Sequence, residues 1–364
     1  MKILIIGAGI FGASAATIIA DKNNEIDLIE AEGDIMQMAS RVNHNRIHLG
    51  YHYLRSIQTA EQSMEGLLSF LFNYGKAVIH QLPNYYAIAK EGSKTTPAEF
   101  LNFCDNVGIG YDSEYPDKKF LDPDKIEECF KVPEPVWDYD KLKKIIKQNL
   151  RKSKVNLIFN ARCTGLKKLA NGMFEAEYNN QKTKYDIVIN ASYSGLNTIN
   201  GFLGVGQKKL LFENVLIPVF NYKTPALGLT VMDGPFCSVM PRGSVKNEFL
   251  LYNVRESVIG SELSATRPDY KDDPTADKHS EQLIYDQSAL FMPFLKAVNH
   301  RGYHRTTRVV YENSDDARLT ELYTFPEVKN YFSILSGKVT TCIQVALEIK
   351  HILQGRQRVK RVKI

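Results

Sequence analysis

The chain has 364 residues, 44% hydrophobic and 24% charged, with 18 Phe and 19 Tyr, enough apolar mass for a sizeable core and too much for a disordered chain. At about 150 residues per domain, that length predicts two domains. Lys and Arg total 46 against 41 Asp and Glu, but Arg356, Arg358, Lys360, Arg361 and Lys363 crowd the end, so the excess is a tail and no nucleic-acid surface is indicated.

In chain order, KILIIG (Lys2 to Gly7) reads as a short buried strand, because consecutive Ile and Leu without alternation suit a parallel strand covered on both faces. Ala13 to Ala20 reads as a helix and Glu25 to Glu30 as a second strand after the Asn23-Asn24 turn. Residues 34 to 60 are irregular and polar-aromatic, with helical spacing over Ile57 to Asn73 and Pro97 to Val107. The lysine-laced helix Tyr139 to Lys152 has one apolar face, and its charges read as a solvated face. Val155 to Phe159, Arg162 to Leu169, Phe174 to Tyr178 and Tyr185 to Asn190 form a meander returning to the parallel sheet. Between Asn214 and Glu256, longer strands joined by turns holding Pro225, Gly234, Pro235 and Gly243 predict a separate antiparallel sheet. A helix over Ala276 to Asn299 follows, and a strand ending at Gly337 leads into a long last helix.

The opening segment is too short and too glycine-rich for a signal peptide, and no apolar stretch reaches about 18 residues, so neither export nor membrane crossing is expected. Cysteines 104, 129, 163, 237 and 342 are scattered, odd in number and free of CxxC pairs, which fits a reducing cytoplasmic compartment. His44, His48 and His52 repeat every four residues, but Gly50 disfavours the helix that a metal site would need, and no metal is expected.

Gly7, Gly9 and Gly12 form G-x-G-x-x-G between strand and helix, where absent side chains let backbone N–H groups approach a pyrophosphate. Ile10 and Phe11 lie in the same turn. Glu30, 18 residues past Gly12 at the end of the second strand, is placed to accept the ribose hydroxyls, with Ala31 beside it. The pattern specifies an ADP-containing cofactor without choosing NAD or FAD.

The next segment makes that choice. ASRVNHNRIHLGYHYLRS (Ala39 to Ser56) resembles the D-amino-acid-oxidase-like superfamily of FAD enzymes, in its glycerol-3-phosphate dehydrogenase and L-2-hydroxyglutarate oxidase branches, with Ser40 and Ile47-His48-Leu49-Gly50 as the matching residues. The resemblance implies FAD and places Ser40, Arg41, Asn43 and His48 near pyrophosphate and flavin. DIVINASYSGLN (Asp186 to Asn197) resembles the later segment that returns to the nucleotide, through Ala191 and Ser192, although Tyr193 departs from the usual residue there. Cys163 falls where the family makes a backbone contact to adenine. SGKVTT (Ser336 to Thr341) resembles the GGKxTT element of the glycerol-phosphate branch, with serine for the first glycine. There Gly337, Lys338 and Val339 would set a helix N-terminus against an anionic reduced flavin.

The resulting expectation is a Rossmann-type FAD-binding domain (1–75, 140–212 and 325–364) and an α+β substrate domain on an antiparallel sheet (76–139 and 213–324). The expected reaction is removal of hydride from a CH–NH or CH–OH carbon of a small, polar, anionic substrate to flavin N5, with oxygen or a quinone as electron acceptor. His48 is the candidate acid/base group. Arg242 and Arg305, with Arg301 and Arg308 as neighbours, are candidate clamps for the substrate's anion. The alternatives are an electron-transfer or assembly subunit, a monooxygenase or mutase, and a weak membrane-surface contact through the basic tail.

Overall fold

A computed structural model describes residues 1–312 and 318–355; the basic tail lies outside the described residues. The first strand, Lys2–Ile6, pairs in parallel with Glu25–Ile29 on one side and Ile187–Asn190 on the other. Tyr331–Leu335 and Asn156–Ile158 extend the sheet in parallel, and Glu321–Thr324 closes one edge antiparallel. Both chain ends therefore meet in one sheet.

Alternation divides that sheet into two apolar faces. Ile3, Ile5, Leu28, Ile187 and Ile189 pack under the helices Ile10–Ile19, Tyr139–Lys152 and Cys342–Leu353, whereas Leu4, Ile6, Ile29 and Val188 face the meander Cys163–Lys168, Phe174–Tyr178 and Gln181–Tyr185. Ala13, Ala15 and Ala16 let the first helix sit close to its neighbours.

The second sheet has nine strands and is mainly antiparallel, with the long pair Leu210–Asn221 and Asn299–Val310 toward one end. One face buries Leu229, Val231, Val239, Leu251 and Phe220 against Ile284 and Tyr285 of the helix Pro274–Ser288. The alternate residues Tyr86, Thr230, Ser238 and Tyr252 point the other way, toward the irregular segment that precedes the helix Ile57–Tyr74. The fold is thus mixed α/β, with one parallel and one antiparallel sheet, as the sequence predicts.

Three expectations change in detail. The helix predicted over Ala276 to Asn299 ends at Ser288; a short turn of 3-10 helix, Pro293–Ala297, follows, and Asn299 already belongs to a strand. Proline lacks the N–H and fixes φ, which favours a break at Met292-Pro293. The stretch predicted as one strand from Tyr185 is divided at Asp186, whose carboxylate accepts the Lys2 N–H at 2.7 Å; Tyr185 ends the meander and Ile187 starts the parallel strand. Cys237–Pro241 is a further strand between turns.

Candidate active site

The glycine turn is set by sterics. Gly7 has φ of +99°, and a Cβ there would lie 2.8 Å from the Ala191 carbonyl oxygen; a Cβ on Gly12 would overlap the Gly7 carbonyl oxygen. Ile10 and Phe11 are buried in the core, so only their backbone serves the turn. Ser40 approaches Gly9, and its Oγ accepts the Ile10 N–H at 3.0 Å. Asn43 holds the Ser40 turn by donating to the Ala39 and Ser40 carbonyls and accepting the Asn45 N–H.

Glu30 accepts the N–H groups of Ala8 at 2.7 Å and Glu32 at 3.0 Å. Burial raises its carboxyl pKa, and these donors oppose the rise. Ala31 is half-buried beside it, and the Glu30 carbonyl accepts the Ala161 N–H two residues before Cys163. Ala191 and Ser192 are carried on the next strand end, where Ser192 donates to Asn190 Oδ1 at 2.6 Å. Asn190 in turn donates to Leu196, Asn200 and Tyr331, a buried network that fixes the sheet's carboxyl edge.

Gly337 also has no room for a side chain, because residues 318–320 cross over it, and its N–H donates to Thr320 Oγ1 at 2.9 Å. From the other side Gly66 abuts the Thr340 carbonyl, where a Cβ would sit 2.7 Å away. The turn Val339–Thr341 that opens the last helix is pinned between these strands of chain. Thr340 Oγ1 is buried there without a hydrogen-bond partner. Lys338 reaches Tyr53, contacting its hydroxyl with Nζ 4.3 Å from the ring centroid; burial and the Arg46 charge bring the ammonium down to about 7.

A buried charge cluster adjoins Lys338. Arg46 donates to Tyr86 OH at 3.0 Å and Thr230 Oγ1 at 2.6 Å, and lies 3.5 Å from Glu134 Oε2. Glu134 Oε2 also accepts the Tyr86 hydroxyl at 2.7 Å, and Oε1 accepts the Leu49 N–H and sits 3.6 Å from His48 Nδ1. Burial works to raise the Glu134 carboxyl, and His48, Arg46 and Tyr86 together hold it below its ordinary value. His48 is lowered to about 4, by burial first and then by the Lys338 cation, with Glu134 pulling the other way. Burial and Arg46 also keep His44 and His52 well below the ordinary imidazole value. None of the three lies in a helix.

Neither Arg46 nor Glu134 is conspicuous in the sequence. The only local signal is that Glu134 lies between Pro133 and Pro135, whose fixed φ angles stiffen the loop. Pairing supplies the rest: Ile47 N–H donates to the Pro135 carbonyl, and Trp137 N–H to that of Asn45.

The arginines separate by sheet face. Arg305 points to the helix-covered side, where it donates to Asp277 at 2.9 Å and Asp272 at 3.0 Å. Arg308 lies on the opposite side, donating to Glu213 at 2.6 Å, with its guanidinium 5.6 Å from the Tyr252 ring, which meets His44 edge-on. Arg242 is paired with Glu248. It and exposed Arg41 face His304, which burial and those two charges lower to about 4. Arg301 is exposed. Tyr193 has φ of +53° and accepts the Val309 N–H, tying the Ala191-Ser192 turn to the long strand.

A glycine turn with no space for side chains and an acid that accepts one of its N–H groups fit the ADP half of a dinucleotide, and Thr340 and Lys338 fit the polar edge of a ring system. The arrangement is that of a dinucleotide-dependent oxidoreductase. Residues 2–314 match the FAD dependent oxidoreductase (DAO) family, and the chain belongs to it. It is therefore an FAD-dependent enzyme.

Among relatives, the FAD-dependent monooxygenase FPY4 of Fusarium mangiferae is 22% identical over 342 residues, spanning 93% of this chain and 87% of its own. The FAD-dependent monooxygenase kojA of Aspergillus flavus is 24% identical over 390 residues, spanning 98% and 87%. In fold, the chain is similar to glycine oxidase from Geobacillus kaustophilus, with a TM-score of 0.80 at 11% identity, covering 100% of this chain and 97% of that one. L-alpha-glycerophosphate oxidase from Mycoplasma pneumoniae, solved with FAD bound, gives 0.79 at 15% identity, covering 97% and 94%. Among the described residues no helix is long and apolar enough to cross a membrane.

Proposed function

We propose that the enzyme oxidises a CH–OH or CH–NH carbon of a small anionic metabolite, on the glycerol-phosphate and hydroxy-acid side of its family. FAD, when bound, would supply the hydride acceptor, with oxygen or a quinone as the final electron acceptor. Among the described residues the cofactor half takes in 1–75, 140–212 and the stretch from the edge strand Glu321–Thr324 to residue 355, and the substrate half 76–139 and 213–312. In the cofactor half, Gly7, Gly9, Gly12, Glu30, Ser40 and Ser192 bind the ADP moiety, Cys163 and Ala191 border it, and Gly337, Lys338 and Val339 meet the ring.

The observation that carries this reading is the placement of His48 at the mouth of the last helix, its ring 5.6 Å from that of Tyr53, whose hydroxyl Lys338 contacts. A neutral imidazole at pH 7 can take a hydroxyl proton, and a nearby cation stabilises an alkoxide as it forms. On the facing sheet Arg308 orients the substrate's anion, supported by Arg242 and His304, while Arg305 anchors the helix behind the sheet. An amine substrate that arrives neutral needs only the orienting groups.

Anaerobic titration tests the proposal: hydroxy acids, sugar phosphates and amino acids are added to the yellow holoenzyme and the flavin absorbance is followed. Bleaching by one of these, without nicotinamide, is the expected result. The names of the fungal relatives favour a second reading, hydroxylation, in which only reduced nicotinamide bleaches the flavin and substrate addition accelerates it. Bleaching solely by a protein reductant identifies an electron carrier.

A further inference from the structure

The proposed chemistry leaves one buried carboxylate without a task. Glu134 is only 1% exposed and comes from the loop between Ile126–Val132 and Val136–Trp137, far in sequence from the residues it touches. Burying an ionised carboxylate costs several kcal/mol unless both oxygens are satisfied, and here the oxygens divide their partners. Oε2 takes Tyr86 and faces Arg46, which already neutralises the charge. Oε1 serves His48 from two directions, accepting the following N–H, that of Leu49, at 3.2 Å and lying 3.6 Å from the ring's Nδ1. Nδ1 is buried and makes no hydrogen bond, so Oε1 meets it as a charge contact at 3.6 Å. The 19% of the His48 side chain that stays accessible therefore belongs to the rest of the ring.

We propose that Glu134 is the positioning residue for His48: one carboxylate oxygen fixes the backbone after the histidine and selects the tautomer with the proton on Nδ1, leaving Nε2 bare toward substrate. The inference rests on the reading of His48 as the proton acceptor for an alcohol. In that step the substrate O–H bond breaks, its proton goes to Nε2, the carbon-bound hydrogen leaves with two electrons to the cofactor, and a carbonyl remains. The imidazolium so formed faces Lys338, Arg46, His44, His52 and Tyr53. Glu134 is the anion within that shell, and it offsets the repulsion from the lysine and arginine.

The experiment is nitrogen NMR of the holoenzyme with labelled histidine, the His48 signals being assigned by their loss in His48→Asn. The expected spectrum has a protonated Nδ1 and a bare Nε2; a proton on Nε2 overturns the proposal and needs no Glu134 variant to be seen. Glu134→Gln keeps the shape and removes the charge. It is expected to move the His48 titration, and the acid limb of kcat/KM, to lower pH by about one unit and to lower kcat about tenfold. A variant that only loses thermal stability, with tautomer and titration unmoved, shows a structural role and overturns the proposal. If the tautomer is as expected but His48→Asn still bleaches normally with substrate, the positioning survives and the reading of His48 as base fails.

Discussion

The two halves of the site are built by opposite means. On the parallel-sheet side the proposed cofactor cradle is made by what is missing: Gly7, Gly12 and Gly337 admit no Cβ. On the antiparallel-sheet side the site is made by what is buried: Arg46, Glu134, Tyr86 and Thr230 satisfy one another away from water, and the histidines beside them are held neutral. A cradle of backbone tolerates almost no added atom, whereas a buried ion cluster tolerates almost no removed one.

The sharpest way to break that contrast is Gly12→Val, whose side chain would occupy the space of the Gly7 carbonyl. The expected outcome is complete loss of flavin absorbance from the purified protein, with retention of colour refuting the steric account. Arg46→Met, on the other side, leaves the Glu134 carboxylate buried without its cation and is expected to cost about 3–5 kcal/mol in denaturant unfolding. A loss below about 1 kcal/mol would mean that water reaches the cluster.

Arg308→Lys keeps the charge beside Glu213 but not the planar fork, so KM for the anionic substrate is expected to rise about tenfold with kcat little changed. An unchanged KM would move the anion site elsewhere. The acid limb of stability gives a smaller test. His48 sits near 4 in the fold against 6.5 when free, so its contribution is whole above pH 6.5 and is lost as pH falls toward 4. The melting temperature of the holoenzyme is expected to drop across that window, and less so in His48→Asn. The smallest effect belongs to Asp34, held at about 2 against a free value of 3.8; burial acts to raise it, and Lys143 and Lys147, at 2.8 and 2.7 Å, overcome that. Its contribution is present above pH 3.8 and lost as pH falls toward 2. Because all three side chains are partly exposed, Asp34→Asn is expected to cost about 0.5 kcal/mol at neutral pH.

The same contrast explains what could be read from the sequence. A cradle made of backbone leaves a local signature, so Gly7, Gly9, Gly12 and Glu30 fall within one strand, helix and strand unit and are visible as spacing. The cluster leaves none, since its members come from positions 46, 86, 134 and 230 and meet only through pairing such as Ile47 to Pro135. The arginines fall between these cases. Sequence reading singles out Arg305 with Arg308 only as its neighbour, whereas a strand's alternation assigns faces only once it is known which face a helix covers, and Asp277 of that helix takes Arg305. For the histidines the local signal is Gly50, which disfavours a helix, and none of His44, His48 and His52 lies in one.

The sheet that carries the glycine turn joins Lys2–Ile6 to Ile187–Asn190 and then to Tyr331–Leu335. During synthesis the amino-terminal strand meets Glu25–Ile29 early but leaves the ribosome long before Ile187–Asn190 exists, and the whole nine-stranded sheet is made before Tyr331–Leu335. Contacts of such sequence separation close slowly, which exposes apolar strands to misassembly. Flavin capture is accordingly expected late in the life of each molecule, and chains stopped before residue 331 are expected to remain colourless however well their first 300 residues fold.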